Sequence, residues 1–291
     1  MYTNLDLVKN ELIGTNVYLG ATTDQSIIRY IRAVSRRIDT YKFDFEPVYD
    51  VRRFTPTRQN VNSYDNVLTL KSFLLEPLTI TSNGVNLVYG TDVLNFPNNN
   101  EYPIQQLRIA NPVSGPIHNW YPYQNIANCG RIFESVVITG FWGMREFYNT
   151  DGFIASGQTS PVMTDSQTTI ITSGAWGDNA YGATPLFSAG NLIRIDDELM
   201  DVTDTDETTK TLTLRRGIRG STAAAHTVGS TISLWYPEDD IVQAATRQAA
   251  LLYSRQGAFQ QVTISPDGVT VSYPSDLLAE LRATIQRFNT V

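Results

Sequence analysis

The sequence predicts an α+β protein, in which helices from both ends of the chain form a small module and a large all-β region is inserted between them. Helical periodicity runs through residues 1–42, disappears over 43–236 and returns over 237–291. Apolar residues three and four positions apart indicate amphipathic helices, whereas short alternating runs between Gly- and Pro-rich turns indicate strands. Helices this short need a partner for their apolar faces, so we expect the two ends to pack together.

The N-terminal segment contains two predicted helices, the first at residues 3–13 and the second from about Asp24 to Tyr41. Apolar residues of the second helix recur on one face, at Ile27, Ile31, Val34 and Ile38. Its other face carries Arg29, Arg32, Arg36 and Arg37. These arginines could contact DNA phosphates, acidic groups of a partner, or only solvent.

The β region is predicted to have two parts, 43–149 and 150–236, because Gly, Ser, Thr, Asp and Asn become more frequent near residue 150. The candidate strands are Val67–Leu70, Leu78–Ile80, Leu107–Ile109, Ile132–Thr139, Thr168–Thr172, Leu192–Val202, Thr211–Arg215 and Thr231–Trp235. We expect the strands between residues 192 and 215 to pair through an acidic turn at Asp204–Glu207.

The C-terminal segment reads as helix, β-hairpin, helix. Pro237 and the three acids after it predict a helix start, and Gly257 predicts its end. The turn Ser265–Gly268 predicts a hairpin near residues 259–273. A final helix is expected from about Asp276 to Phe288.

Composition narrows the classes of function. The formal net charge of −7 argues against a surface that grips nucleic acid, but it permits an acidic wall past which DNA slides. The single cysteine, Cys129, excludes an internal disulfide framework. No signal peptide and no run of about 18 apolar residues is visible, so we expect synthesis in a cytoplasm and no membrane partner.

No catalytic motif stands out. The sequence lacks a nucleophile elbow, a P-loop, a dinucleotide fingerprint and an H-E-x-x-H helix. Neither His118 nor His226 has a cysteine or second histidine at metal-ligand spacing. An acidic cluster could bind a cation, although a solvated hairpin is the commoner structure; its members are Asp196, Asp197, Glu198, Asp201, Asp204, Asp206 and Glu207. We therefore expect no enzymatic activity and no metal or other cofactor.

Aromatic residues are frequent in the β region, among them Trp120, Tyr121, Tyr123, Trp142 and Trp176. Such residues build a β core or anchor a subunit interface, and beside Asn and Asp they also line sugar-binding grooves. An alternative function is therefore a tail or baseplate module that recognises host glycans.

Four short runs, in this order along the chain, resemble the head-to-tail connector (adaptor) proteins of tailed bacteriophages. They are Arg52–Arg58, Val136–Gly143, Leu214–His226 and the helical positions from Ala244 to Arg255. The second run fits the pattern V-x-I-x-G-x-W-G, and the third is similar to a phage-protein turn built on Arg-Gly and a later His. Short members of that family are mostly helical, so the long β region is a departure from them.

The resemblance implies a structural virion protein of the neck, at the head–tail interface, assembled in the host cytoplasm. It implies a homo-oligomeric ring, commonly twelve-fold, that docks on the portal protein, extends the DNA channel and gives the stopper or tail completion protein a docking surface. DNA would pass through without sequence-specific binding. The candidate subunit or portal interface comprises Ile27, Ile31, Arg32, Arg36, Tyr253, Arg255, Arg287 and Phe288. Trp142 and His226 are candidates for packing or interface roles in the β region.

Overall fold

The computed structural model shows a chain whose contacts divide into two compact units. The first unit comprises Met1–Phe43, Ile154–Ile218 and Thr222–Val291, and the second comprises Asp44–Phe153 with Arg219–Ser221. The structure describes residues 1–13, 21–40, 45–57, 59–62, 65–97, 101–110, 120, 134–145, 150–180, 182, 184–255, 261–265, 268–272 and 279–288. Five residues that the sequence analysis names lie outside the described residues: Arg58, His118, Tyr121, Tyr123 and Cys129.

The second unit is built on a seven-stranded antiparallel sheet. Its strands are β1 (Val48–Phe54), β2 (Val61–Asn62), β3 (Val67–Ser82), β4 (Val85–Leu87), β5 (Val93–Asn95), β6 (Ile104–Ile109) and β7 (Val136–Trp142). The order is β1-β7-β3-β6-β5, and β2 and β4 also pair with β3. The long strand β3 passes through Pro77, where the register with β7 shifts; a proline has no N–H for the ladder, so it is tolerated at such an irregularity. Alternating buried residues such as Leu68, Ile138 and Trp142 form the core of this unit.

The first unit contains a six-stranded antiparallel sheet. Its strands are β8 (Phe153–Thr159), β9 (Thr169–Ile171), β10 (Leu192–Ile195), β11 (Glu198–Asp206), β12 (Thr211–Arg215) and β13 (Thr231–Trp235). They lie in the order β8-β13-β10-β11-β12-β9. One sheet face buries a cluster that includes Ile193, Met200, Leu212 and Leu234. A separate two-stranded hairpin joins β14 (Gln261–Ser265) to β15 (Gly268–Ser272).

The helices are α1 (Leu5–Leu12), α2 (Ala21–Asp39), α3 (Asp239–Ser254) and α4 (Ala279–Phe288). The Asn4 side chain caps α1 by accepting a hydrogen bond from the Leu7 N–H at 2.9 Å. Both α1 and α2 pack on α3, which also contacts α4. The apolar stripe of α2 is fully buried, and it consists of Ile27, Ile31, Val34 and Ile38. None of the described helices is both long and apolar enough to cross a lipid bilayer.

The predicted fold class is wrong. The residues that the structure describes are mostly β, with two large antiparallel sheets, a two-stranded hairpin and four helices, and they do not form a helical module that carries an insertion. The terminal helices belong to the same compact unit as the six-stranded sheet. The Leu5 N–H, at the start of α1, donates to the Ala189 carbonyl at 2.9 Å, just before β10. Helical periodicity locates helices, but it does not indicate to which compact unit they belong.

A buried ion-pair network as candidate functional site

The candidate site lies in the first unit, where the turn between β10 and β11 faces the long connection between β12 and β13. Asp196 occupies the turn with a left-handed φ of 50°, a conformation that Asp adopts more readily than most residues. The turn brings Glu198, the first residue of β11, under residues 216–226. The Glu198 side chain is 1% exposed. A buried carboxylate requires charged and hydrogen-bonding partners, because desolvation is otherwise too costly.

Arg216 supplies the charge. Its Nε donates to Glu198 Oε1 at 2.7 Å and its Nη2 donates to Oε2 at 2.6 Å, which is the two-pronged geometry of the strongest ion pairs. The remaining donors of this buried guanidinium are directed at backbone carbonyls. Nη1 donates to the carbonyls of Thr164 and Gln167 at 2.9 and 2.8 Å, and Nη2 donates to the carbonyl of Ala224 at 2.6 Å. One side chain therefore connects the loop that contains Thr164 and Gln167, the loop that contains Ala224, and Glu198 of β11.

His226 completes the network. Its Nε2 lies 2.9 Å from Glu198 Oε2, and its Nδ1 lies 2.7 Å from Asp196 Oδ2. The His226 backbone pairs with Met163 through two hydrogen bonds of 3.0 Å. The imidazole is thus held between one buried and one exposed carboxylate. We call Asp196, Glu198, Arg216 and His226 the Glu198 network.

The pKa of Glu198 is below its ordinary value. Burial raises the pKa of this carboxyl, but hydrogen bonds to its charged form outweigh that effect. These bonds come from the Arg216 side chain, the Ala224 N–H at 3.0 Å, His226, and the Gly217 N–H at 3.0 Å. Both oxygens of the carboxylate are consequently occupied by at least two donors each, and Glu198 is held ionised.

This geometry suits a structural role better than catalysis. A carboxylate with so many donors is a poor general base, since it has no lone pair directed at an approaching substrate. Within the described part of the chain, no group of three or more His, Cys, Asp or Glu side chains is placed to hold a metal ion. What the network can do is fasten the connection between β12 and β13 to the sheet.

The predicted acidic cluster does not gather at one place. Glu198 and Asp201 are buried, and Asp201 forms an ion pair with Arg215 of the neighbouring strand β12. Asp197 is exposed and lies 3.8 Å from Arg194. Asp206 closes the next turn by accepting hydrogen bonds from the amides of Thr208 and Thr209. The alternation of side chains along β11 thus divides the acids between different partners.

The same connection also carries a tripeptide that belongs to the second unit. Arg219 forms an ion pair with the buried Glu46. The Arg219 carbonyl accepts a hydrogen bond from the Tyr49 N–H at 2.9 Å, at the start of β1. Gly220 follows with a φ of +85°, and a Cβ at this position would lie 2.1 Å from the Tyr49 carbonyl oxygen. Only glycine satisfies both the φ angle and this close approach.

The predicted interface residues occupy different environments. Ile27, Ile31 and Tyr253 are buried among the helices of the first unit, and the ring of Tyr253 packs edge-on against Tyr30 at 6.1 Å. They contribute to the core of this fold and present no surface. Arg36 and Arg255 are exposed, and Arg32 is half-buried. Arg287 and Phe288 lie in α4, and their side chains fall outside the described part of the structure.

The four tryptophans of the sequence, Trp120, Trp142, Trp176 and Trp235, are all buried. None of them presents a ring face to a sugar. Trp142 packs between strands of the seven-stranded sheet, where its Nε1 donates to the Asp50 carbonyl at 3.1 Å. The Arg52 guanidinium lies 4.5 Å from the centre of its ring.

Sequence reasoning singled out Glu198 and His226 separately but missed that Arg216 joins them. The available signal was the run Leu214–His226, in which an arginine-glycine pair stands before the histidine. No protein-family model, curated protein or solved structure matches the chain. The site is therefore interpreted from its own geometry.

Proposed function

We propose that the protein is a non-enzymatic structural subunit of the bacteriophage neck, which forms a ring between portal and tail. The ring extends the DNA channel and gives the tail or stopper a docking surface. The observation that carries this proposal is the set of contacts that Arg216 and His226 make. Both residues belong to the run Leu214–His226, one of the four runs that resemble the phage connectors. Arg216 and His226 direct their polar groups at Glu198, Asp196 and loop carbonyls, as expected of a structural element rather than an active site.

A ring requires one surface of the subunit to bind a different surface of the next copy, repeated around an axis until it closes. Because the terminal helices share a unit with the six-stranded sheet, we assign the ring contacts to the outside of that unit and not to a separate helical module. Arg36 on α2 and Arg255 at the end of α3 are exposed there. We assign both arginines to contacts with acidic groups of a neighbouring copy or of the portal. A neighbouring copy has such groups in excess, since its net charge is −7.

The test is native mass spectrometry of the purified chain, alone and mixed with the portal protein of the same phage. We expect either a closed homo-oligomer or a ring that forms only on the portal. The double variant Arg36→Glu and Arg255→Glu should reduce the assembled fraction, whereas Arg108→Glu should not, since Arg108 is an exposed arginine of β6 in the second unit. A chain that stays monomeric with and without portal at micromolar concentration contradicts the proposal.

A further inference from the structure

The second unit contains a groove of about 540 Å³ whose lining is basic, although the protein as a whole is acidic. Arg52 and Arg53 of β1 and Lys71 of β3 line it, and each arginine has one carboxylate partner outside the lining, Asp50 for Arg52 and Glu134 for Arg53. Among the described residues that line the groove there is no Asp or Glu. We refer to it as the basic groove. Salt screens the acidic residues that lie far from the groove, so the nearby charges decide which ligand binds there.

Arg52 is held in place by an ion pair and by a contact with an aromatic ring. Its Nε donates to Asp50 Oδ2 at 3.1 Å, and its guanidinium lies over the ring of Trp142. Neither terminal nitrogen has a hydrogen-bond partner in the described part of the chain. An arginine that is already ordered loses less conformational entropy when it binds an anion.

The other two cations, Arg53 and Lys71, are more exposed than Arg52. The nearest carboxylate to Arg53 belongs to Glu134, at 3.9 Å from Nε, and both side chains are more than half exposed, so this pair is weak and screened. Lys71 is exposed and makes no ion pair with any residue that the structure describes.

Thr57, Gln59 and Asn60 add uncharged polar groups to the lining of the groove. Asn60 Oδ1 accepts hydrogen bonds from the Thr57 N–H at 2.6 Å and the Thr57 hydroxyl at 2.9 Å. Asn60 Nδ2 donates to the Thr55 carbonyl at 3.1 Å. These bonds hold the Asn60 side chain in place. The Gln59 side chain also lines the groove and is exposed.

We infer that the basic groove binds the phosphodiester backbone of nucleic acid without reading its sequence. Arg, Lys, Ser, Thr, Asn and Gln are the side chains that contact phosphates in protein–nucleic acid complexes, and they make up the lining apart from Phe54. An acidic peptide fits less well, because peptide docking depends on buried apolar anchors. Phe54 is already packed against Trp142, at 6.0 Å between ring centres, and leaves no pocket for such an anchor. This inference is independent of the proposed ring.

The test is fluorescence anisotropy with two labelled DNA duplexes of unrelated sequence, at 50 and 200 mM salt. We expect both duplexes to bind equally, with a log–log salt slope of about −2 to −3, as two or three phosphate contacts produce. Arg53→Ala and Lys71→Ala should each weaken binding about five-fold and reduce the slope by about one. The matched control is Arg108→Ala, which removes one exposed charge from the same sheet outside the groove and should change affinity less than about two-fold.

Several results would overturn the inference: no binding at 50 mM salt, a strong preference for one duplex, or equal losses in all three variants. Inorganic pyrophosphate that binds as tightly as the duplexes would show a site for small phosphates instead of a polynucleotide. Thermal unfolding of each variant identifies any that fail to fold, and Lys71→Gln provides a milder replacement with the same charge change. The groove can fail to bind nucleic acid although the ring forms, and the ring can fail to form although the groove binds nucleic acid. The two proposals are therefore tested separately.

Discussion

His226 Nε2 lies 2.9 Å from Oε2 of Glu198, and both side chains are almost completely withdrawn from solvent. The carboxylate also binds Arg216 through two hydrogen bonds. Removing one member of a buried charged pair leaves the other uncompensated, which is more harmful than losing an exposed pair. The stability of the first unit should therefore depend on this contact.

Glu198→Gln should lower the free energy of unfolding by about 3–5 kcal/mol, because the buried Arg216 guanidinium loses its counter-charge. Urea denaturation at neutral pH measures this. The control is Asp197→Asn, which changes the adjacent exposed carboxylate and should alter stability by less than about 0.5 kcal/mol. Equal effects of the two substitutions would mean that the network does not stabilise the fold.

The same carboxylate should make stability depend on acid. The pKa of Glu198 in the folded protein lies below its unfolded value of 4.5. At pH values between the two pKa values, the unfolded chain therefore binds more protons than the folded chain. Its stabilising contribution is fully present above pH 4.5 and is lost as the pH falls through the lower folded-state pKa. Urea denaturation between pH 7 and pH 3 should show the difference between wild type and Glu198→Gln shrinking below about pH 4.5. A constant difference across that window would contradict the assignment.

Gly220→Ala should lower the free energy of unfolding by more than an alanine at a positive φ usually does. The added Cβ would meet the Tyr49 carbonyl oxygen at 2.1 Å. Gly90 provides the control, since it has a φ of +86° and nothing within 4 Å of its added Cβ, in the same unit. We expect about 1–2 kcal/mol of destabilisation for Gly90→Ala and clearly more for Gly220→Ala, measured by thermal or urea unfolding. Similar losses would show that the connection does not need its close approach to Tyr49.

Ile31→Ala should lower the free energy of unfolding by about 2–5 kcal/mol, as for other fully buried aliphatic residues. Arg36→Ala, five residues later on the exposed side of α2, should leave stability nearly unchanged. Urea denaturation of the unassembled chain distinguishes the two. A mild effect of Ile31→Ala on the isolated chain would indicate that α2 is packed only after assembly.

Local patterns in the sequence predicted several elements well. The strands Thr211–Arg215 and Thr231–Trp235 have the predicted bounds, because alternating buried residues such as Leu212 and Leu214 mark one face. The predicted strand Leu192–Val202 is in fact two strands, β10 and β11, separated by the turn at Asp196. The two consecutive aspartates, Asp196 and Asp197, were the available signal for this turn, since Asp is common in turns.

Long-range contacts could not be predicted in the same way. Nothing in the periodicity of α1 indicates that Leu5 would bond to Ala189, just before β10. The candidate site has the same limitation. Glu198 appears as one acid among seven, and its burial depends on Arg216, which lies eighteen positions further along the chain. Only the fold distinguishes it from the exposed Asp197.

Electron microscopy of the chain mixed with the portal protein of its own phage tests the central proposal most directly. We expect class averages that show a closed ring, commonly twelve-fold, coaxial with the portal and with an open channel on the axis. Rings should be absent when Arg36 and Arg255 are both changed to Glu and present when Arg108 is changed to Glu. Single unassembled particles beside bare portals, under conditions where the wild-type chain is folded, would contradict the account.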